Sequence, residues 1–152
     1  MIMNKNYLTI SVSVLLLIVA VTVGCGDPKV TGKVMFPDGT PLTTGVVMFQ
    51  KENFIASGNI QKDGTYSAGK LKDGDGLPPG QYQVFINGAS TYDTAELERL
   101  TNEAASSDKP VFQTPRPTDL VDTKYMSPQS SGLTVEVNGR TKFDITVEPP
   151  QP

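Results

Sequence analysis

One thiol, sixteen carboxylates and no imidazole make up the reactive inventory of this chain. Without histidine there is no Ser-His-Asp or Cys-His nucleophile pair, no histidine-ligated zinc and no imidazole acid–base step. The thiol, Cys25, has no second cysteine to pair with. Asp73 and Asp75, in Asp73-Gly74-Asp75-Gly76, are spaced like part of a calcium loop. An EF-hand needs further oxygen ligands at alternate positions and a late glutamate, and Leu77-Pro78-Pro79 occupies that stretch. The expectation is a turn with two solvated carboxylates; a calcium site of another kind, shared with a second loop, is the alternative. Asp119, Asp122, Glu96, Glu98 and Glu103 could supply paired carboxylates. Glycosidase chemistry needs two at a defined separation in a cleft, and nothing in this spacing fixes one. No catalytic residue, metal or cofactor is therefore assigned. Tyr66, Tyr82, Tyr92 and Tyr125 could together stack on a sugar. Tyr66 and Tyr82 fall on strand motifs and read as core, so the candidate partner-binding residues are Tyr92, Phe112 and Tyr125.

Cys25 gains meaning from what precedes it. Tyr7 to Val23 is an uncharged, mostly apolar run behind a single basic residue, Lys5, and it ends Thr22-Val23-Gly24-Cys25. A positive start, an apolar stretch and a small residue before a processing point form a secretory signal. With the cysteine in place it resembles a bacterial lipoprotein signal peptide, in which the residue equivalent to Cys25 is diacylated and becomes the mature N-terminus. Thr22 departs from the aliphatic residue usual there. An uncleaved anchor and an ordinary cleaved signal are the alternatives, although the run is slightly short for a span of roughly 20 residues. All three place the remainder outside the cytoplasm, membrane-anchored on the periplasmic face or the cell surface of a bacterium. Gly26, rather than an acid, after the cysteine favours the outer membrane where one exists. Only Gly26-Asp27-Pro28 separates Cys25 from Lys29, a tether of about 10–15 Å.

The expected organisation is a signal over 1–24, a tether over 25–28, one domain over 29–148 and a proline-rich tail over 149–152. The net charge of −3, made more negative by removal of Lys5, argues against a nucleic-acid partner. Fourteen glycines and twelve prolines, without tryptophan, suggest short strands and many turns. Asp38-Gly39, Asp63-Gly64, Asp73-Gly74, Asp75-Gly76, Asn87-Gly88 and Asn138-Gly139 punctuate the chain as turn pairs. Alternating segments lie between them: Val30, Gly32, Val34 and Phe36; Val47 and Phe49; Tyr82, Val84 and Ile86; Leu133, Val135 and Val137; Phe143, Ile145 and Val147. Residues 54–60 and 64–68 suggest a hairpin about Asp63-Gly64. The pattern predicts an all-β, antiparallel Greek-key β-sandwich of about seven strands, with an N-terminal signal helix. For both C-terminal apolar triplets to face inward across a hairpin, the loop at Asn138-Gly139 must hold an odd number of residues. A three- or five-residue loop with a glycine bulge is predicted.

Residues 89–127 break the alternation and form a long insertion. Asp93-Thr94-Ala95-Glu96 reads as a capping box, with Asp93 accepting from the Glu96 N–H. Leu97, Leu100 and Ala104 give one weak stripe, so a short helix is expected from Thr94 to about Ala105. Connections this long are usually functional or partly disordered.

Val30-x-Gly32-x-Val34, Asp38-Gly39-Thr40-Pro41-Leu42, Gly45-x-Val47-x-Phe49, Asp63-Gly64-x-Tyr66 and Leu77-Pro78-Pro79-Gly80-x-Tyr82-x-Val84 occur in that order. Together they resemble the carboxypeptidase regulatory-like domain, a transthyretin-like β-sandwich, over roughly 29–88. Lys124-Tyr125 and Ser131–Val147 resemble the close of small lipoproteins carrying it. The resemblance implies a non-catalytic accessory domain with no catalytic residue to carry over. The expected function is a lipid-anchored envelope protein with a structural or protein-interaction role, partnered by the membrane and by an envelope protein. Glycan or cell-wall binding is the alternative.

Overall fold

The computed structural model describes residues 26–106 and 114–151. The expected signal helix, Cys25 and Phe112 lie outside them. The main body is two facing sheets. β1 (Val30–Met35) pairs antiparallel with β4 (Thr65–Ala68) on one side. Its other side takes the C-terminal segments β9 (Thr141–Lys142) and β10 (Ile145–Thr146), both parallel to it. The second sheet is antiparallel throughout, in the order β3 (Phe54–Asn59), β2 (Val46–Lys51), β5 (Gly80–Asn87), β8 (Leu133–Val137). β9 and β10 keep one register along β1, Val30 opposite Thr141 and Val34 opposite Ile145, so they act as a single strand. The sandwich thus has the seven strands that alternation suggested.

Period two decides which side chains meet between the sheets. Val30 and Val34, Val47 and Phe49, Tyr82, Val84 and Ile86, Val135 and Val137, and Ile145 and Val147 are all buried, and Phe36, Leu133 and Phe143 pack at the margins. Tyr66, Phe49, Tyr82 and Phe54 form an aromatic row with centroids 6.0, 6.4 and 6.0 Å apart. Burying each such side chain contributes about 1.5–3 kcal/mol.

Two connections differ from expectation. β8 and β9 are joined by three residues, 138–140, but do not form a hairpin: β8 stays with β5 while β9 crosses to β1. The odd count keeps both triplets inward across this crossing, and Gly139 takes no left-handed bulge conformation. The Asp63-Gly64 turn is closed as expected, with Gln61 N–H donating to the Thr65 carbonyl at 2.8 Å, but β3 and β4 then belong to different sheets and share one antiparallel bridge, where Ser57 and Gly69 exchange backbone bonds of 3.1 and 2.9 Å. Gly64 is left-handed at φ 83° and the Asp63 carboxylate accepts from the Thr65 N–H at 3.0 Å.

The C-terminal strand is held by a contact that crosses β1. Tyr66, opposite Gly32, extends its hydroxyl over the missing side chain and donates to the Phe143 carbonyl at 2.6 Å. Asp144 then replaces a ladder acceptor, taking the Lys33 N–H at 3.0 Å. A Cβ on Gly32 would lie 1.9 Å from the Phe143 oxygen. Gly32 is therefore a requirement of close approach rather than a weak strand residue.

Candidate functional site

Strand register sorts the candidate residues onto two opposite ends of the sandwich. The entry end begins with Asp27 and Pro28. Leu77 N–H donates to the Pro28 carbonyl at 2.9 Å, and a Cβ on Gly76 would lie 2.5 Å from the Asp27 oxygen. The start of the domain is thus packed directly beneath the loop over 69–79, which leads into β5 at Gly80. The β2–β3 turn at Glu52-Asn53 and the crossing at 138–140 lie at the same end, since Lys51 Nζ reaches the Pro79 carbonyl at 3.1 Å and Val137 pairs with Gly80.

The insertion springs from the far end of β5. Asn87 leads through Gly88 to buried Ala89, and the return is closed by Leu120 N–H donating to the Ala89 carbonyl at 2.8 Å. β6 (Ser90–Tyr92) and β7 (Pro117–Asp119) form its stem, and α1 (Thr94–Ser106) follows β6. β5 has 8 residues, so the two ends are roughly 23 Å apart along it. α1 matches the expected span within a residue. Its cap is simpler than a capping box: the Asp93 carboxylate accepts from the Ala95 N–H at 2.9 Å, one residue short of Glu96. Along α1 only Leu100 is buried, while Leu97 is 46% exposed.

The aromatic candidates separate. Tyr92 is displayed, 52% exposed on the stem. Tyr125 is not. It lies in a 3-10 turn, Thr123–Met126, and packs into the core at 7% exposure beside Val121. Asp122 holds that turn by accepting from the Lys124 N–H at 2.9 Å, while its own N–H donates to the Glu148 carbonyl at 2.9 Å. Lys124 also pairs with the Glu148 carboxylate, which holds the lysine's pKa up. Ala89, Val121 and Tyr125 thus belong to the sandwich core, and among the described residues 90–106 and 114–119 lie outside its two sheets.

The carboxylates are engaged locally. Asp73 accepts from Asn59 Nδ2 at 3.0 Å, and Asp75 from the Lys72 N–H at 3.2 Å. Glu103 pairs with Arg99 at 3.1 Å. Among the described residues no three acidic or cysteine side chains gather as a metal-binding group. Two open clefts adjoin the entry end. One, of about 490 Å³, is lined by Lys51, Phe54, Lys70, Pro78 and Tyr82 with Glu52. The other, of about 450 Å³, shares Lys51, Glu52 and Tyr82. Glu52 is the one carboxylate lining either cleft, so neither holds the pair of carboxylates that glycosidase chemistry needs. Tyr82 is fixed there by its hydroxyl, which donates to the Pro78 carbonyl at 2.7 Å; burial and then Asp27 raise its pKa. Sequence reasoning passed over the basic residues of this end and Leu71, although Lys70-Leu71-Lys72 beside the Asx-Gly turns was a visible signal.

No family model matches the chain, and no curated protein matches it. Among solved structures it is similar to a DUF3823 family protein from Bacteroides ovatus, at 16% identity and TM-score 0.43, over 81% of this chain and 45% of that one. It is also similar to the Bacillus anthracis TIE protein, at 12% identity and TM-score 0.40, over 82% of this chain and 17% of that one. A 9R-lipoxygenase from Cyanothece matches at 17% identity and TM-score 0.33, over 81% of this chain and 16% of that one. The chain thus spans less than half the length of each, and likenesses this distant concern fold alone.

Proposed function

We propose that this chain is a lipid-anchored, extracytoplasmic β-sandwich of the carboxypeptidase regulatory-like type, without catalysis of its own, that presents the insertion 90–119 to a protein partner in the cell envelope. The observation that carries the reading is the opposition of the two ends. Cys25 closes a signal-like run three residues before Pro28, where the domain begins, while the insertion leaves β5 at the other end. An acylated Cys25 holds the entry end at the headgroups, since two acyl chains anchor a protein almost permanently. On that reading the stem of the insertion starts at the end away from the membrane, and the exposure of Tyr92 and Leu97 supports it as the contact surface.

The test is in-cell cross-linking with mass spectrometry on the tagged full chain. Beside it runs a variant in which 91–118 is replaced by a short Gly-Asn-Gly turn joining Ser90 to Asp119, which are already paired. The expected result is a defined envelope protein captured by the parent and lost from a variant that remains folded and membrane-bound. An unchanged partner list would move the contact to the sandwich. Absence of any partner from both samples would overturn the interaction role and favour glycan binding.

A further inference from the structure

Leu71 is the most exposed large apolar side chain among the described residues, at 88%. A single exposed leucine means little by itself; the position of this one is what matters. The loop that carries it leaves β4 at Ala68, opposite Val30, and returns with Gly76 N–H donating to the Ala68 carbonyl at 3.2 Å. Gly76 rests on the Asp27 and Pro28 main chain, where a Cβ would lie 2.5 and 2.7 Å from their oxygens. The loop is thus built on the point where the chain enters the fold. Leu71 is two residues beyond Gly69, at most about 7 Å of chain, and Cys25 precedes Pro28 by no more than about 11 Å.

The flanking residues suit an interface between water and lipid. Lys70 and Lys72 are exposed on either side of Leu71, and such side chains lay their stems along apolar matter while keeping the ammonium in the polar layer. Lys51 and Lys70 line the adjoining cleft. Asp73 is occupied by Asn59, the last residue of β3, and Asp75 by the Lys72 N–H, with the Lys72 ammonium 3.9 Å from its carboxylate. Lys29 and Arg140 add positive charge at this end and Asp27 and Glu52 oppose it, so no strong net field results. Apolar insertion rather than attraction to anionic lipid is the driving contact.

We infer that Leu71 inserts into the bilayer as a second, non-covalent contact beside the acyl anchor, which fixes the tilt of the domain and keeps the insertion pointing away from the membrane. The inference rests on the lipid-anchoring reading. One leucine would not hold a free protein to a bilayer, but a short tether makes its insertion intramolecular, at high effective concentration.

Because the chain has no tryptophan, Leu71→Trp creates a single fluorescent reporter at a solvent-facing position. The full-length variant is extracted from bacterial membranes, reconstituted into phosphatidylcholine vesicles containing brominated acyl chains, and compared with Lys62→Trp in the Asp63-Gly64 turn at the other end. The expected result is at least about twofold quenching at position 71, a blue-shifted emission there, and neither effect at position 62. Vesicle-bound protein with an acylated Cys25 peptide and no quenching at 71 would overturn the Leu71 contact and leave the anchoring reading standing. Protein that stays in the soluble fraction with no acyl mass on Cys25 would overturn both. Equal quenching at 71 and 62 would also overturn the contact, since the domain would then have no preferred tilt.

Discussion

Tyr66→Phe deletes one oxygen and tests how the C-terminal strand is held. The hydroxyl donates at 2.6 Å to the Phe143 carbonyl across the gap left by Gly32, and without it that partly buried acceptor loses its donor. Leaving such a group unpaired costs about 1–2 kcal/mol. For a domain of this size that corresponds to a fall in Tm of roughly 4–8 °C. Gly32→Ala should be worse: its Cβ falls 1.9 Å from the Phe143 oxygen and 2.7 Å from the carbonyl carbon. The backbone of the 141–147 strand must then move away from β1, at a cost above about 3 kcal/mol. The double variant should not recover, because the main-chain clash survives removal of the hydroxyl. Urea unfolding followed by far-UV circular dichroism measures all three, with the slope checked for constancy. The phenol also carries a pH signature. Burial, and secondarily Asp144, raises the Tyr66 pKa above the ordinary 10.0. A raised folded value means that the stability contribution is complete below the unfolded pKa near 10 and is lost as pH climbs beyond it. Wild type should therefore weaken above pH 10 more steeply than Tyr66→Phe. A Tyr66→Phe protein within about 0.5 kcal/mol of wild type, or a Gly32→Ala protein of unchanged Tm, would refute this account of the strand.

Two further outcomes are expected. Asp38 and Asp63 are held below the ordinary carboxylate value of 3.8 by hydrogen bonds from Thr40 and Thr65, and Asp144 by Lys142 and the Lys33 N–H. Depressed folded values give stability that is present above the unfolded pKa and lost as pH falls through the folded ones. Tm should thus decline below about pH 4, and Asp63→Asn should flatten part of that decline; a Tm unchanged down to pH 2 would contradict it. Cys25→Ser should remove the acyl mass from the N-terminal peptide and leave the circular dichroism of the domain unchanged. Wild-type protein that retains residues 1–24 and carries no acyl mass on Cys25 would instead indicate an uncleaved anchor.

Local chemistry in the sequence determined which residues face the core. Alternation in Val47 and Phe49, in Tyr82, Val84 and Ile86, and in the two C-terminal triplets is a property of each strand alone, and burial follows it. The Asp38-Gly39 and Asp63-Gly64 turns and the helix from Thr94 were legible for the same reason: their signals lie within a few residues. Sheet membership was not local. The three residues 138–140 are compatible with a hairpin, but β8 is satisfied by β5 and the following strand finds an open edge on β1, 111 residues away in sequence. Tyr125 shows the same limit. Its place after a proline-rich stretch gave no sign that Asp122 would dock on Glu148 and carry the ring into the core. Composition and the run ending at Cys25 gave the sequence-level expectation of where the protein resides. Only the tertiary structure places the chain entry, beneath Gly76 and Leu77, at one end of β5 and the origin of the insertion at the other, because direction within a sheet is fixed by pairing between residues far apart in the chain.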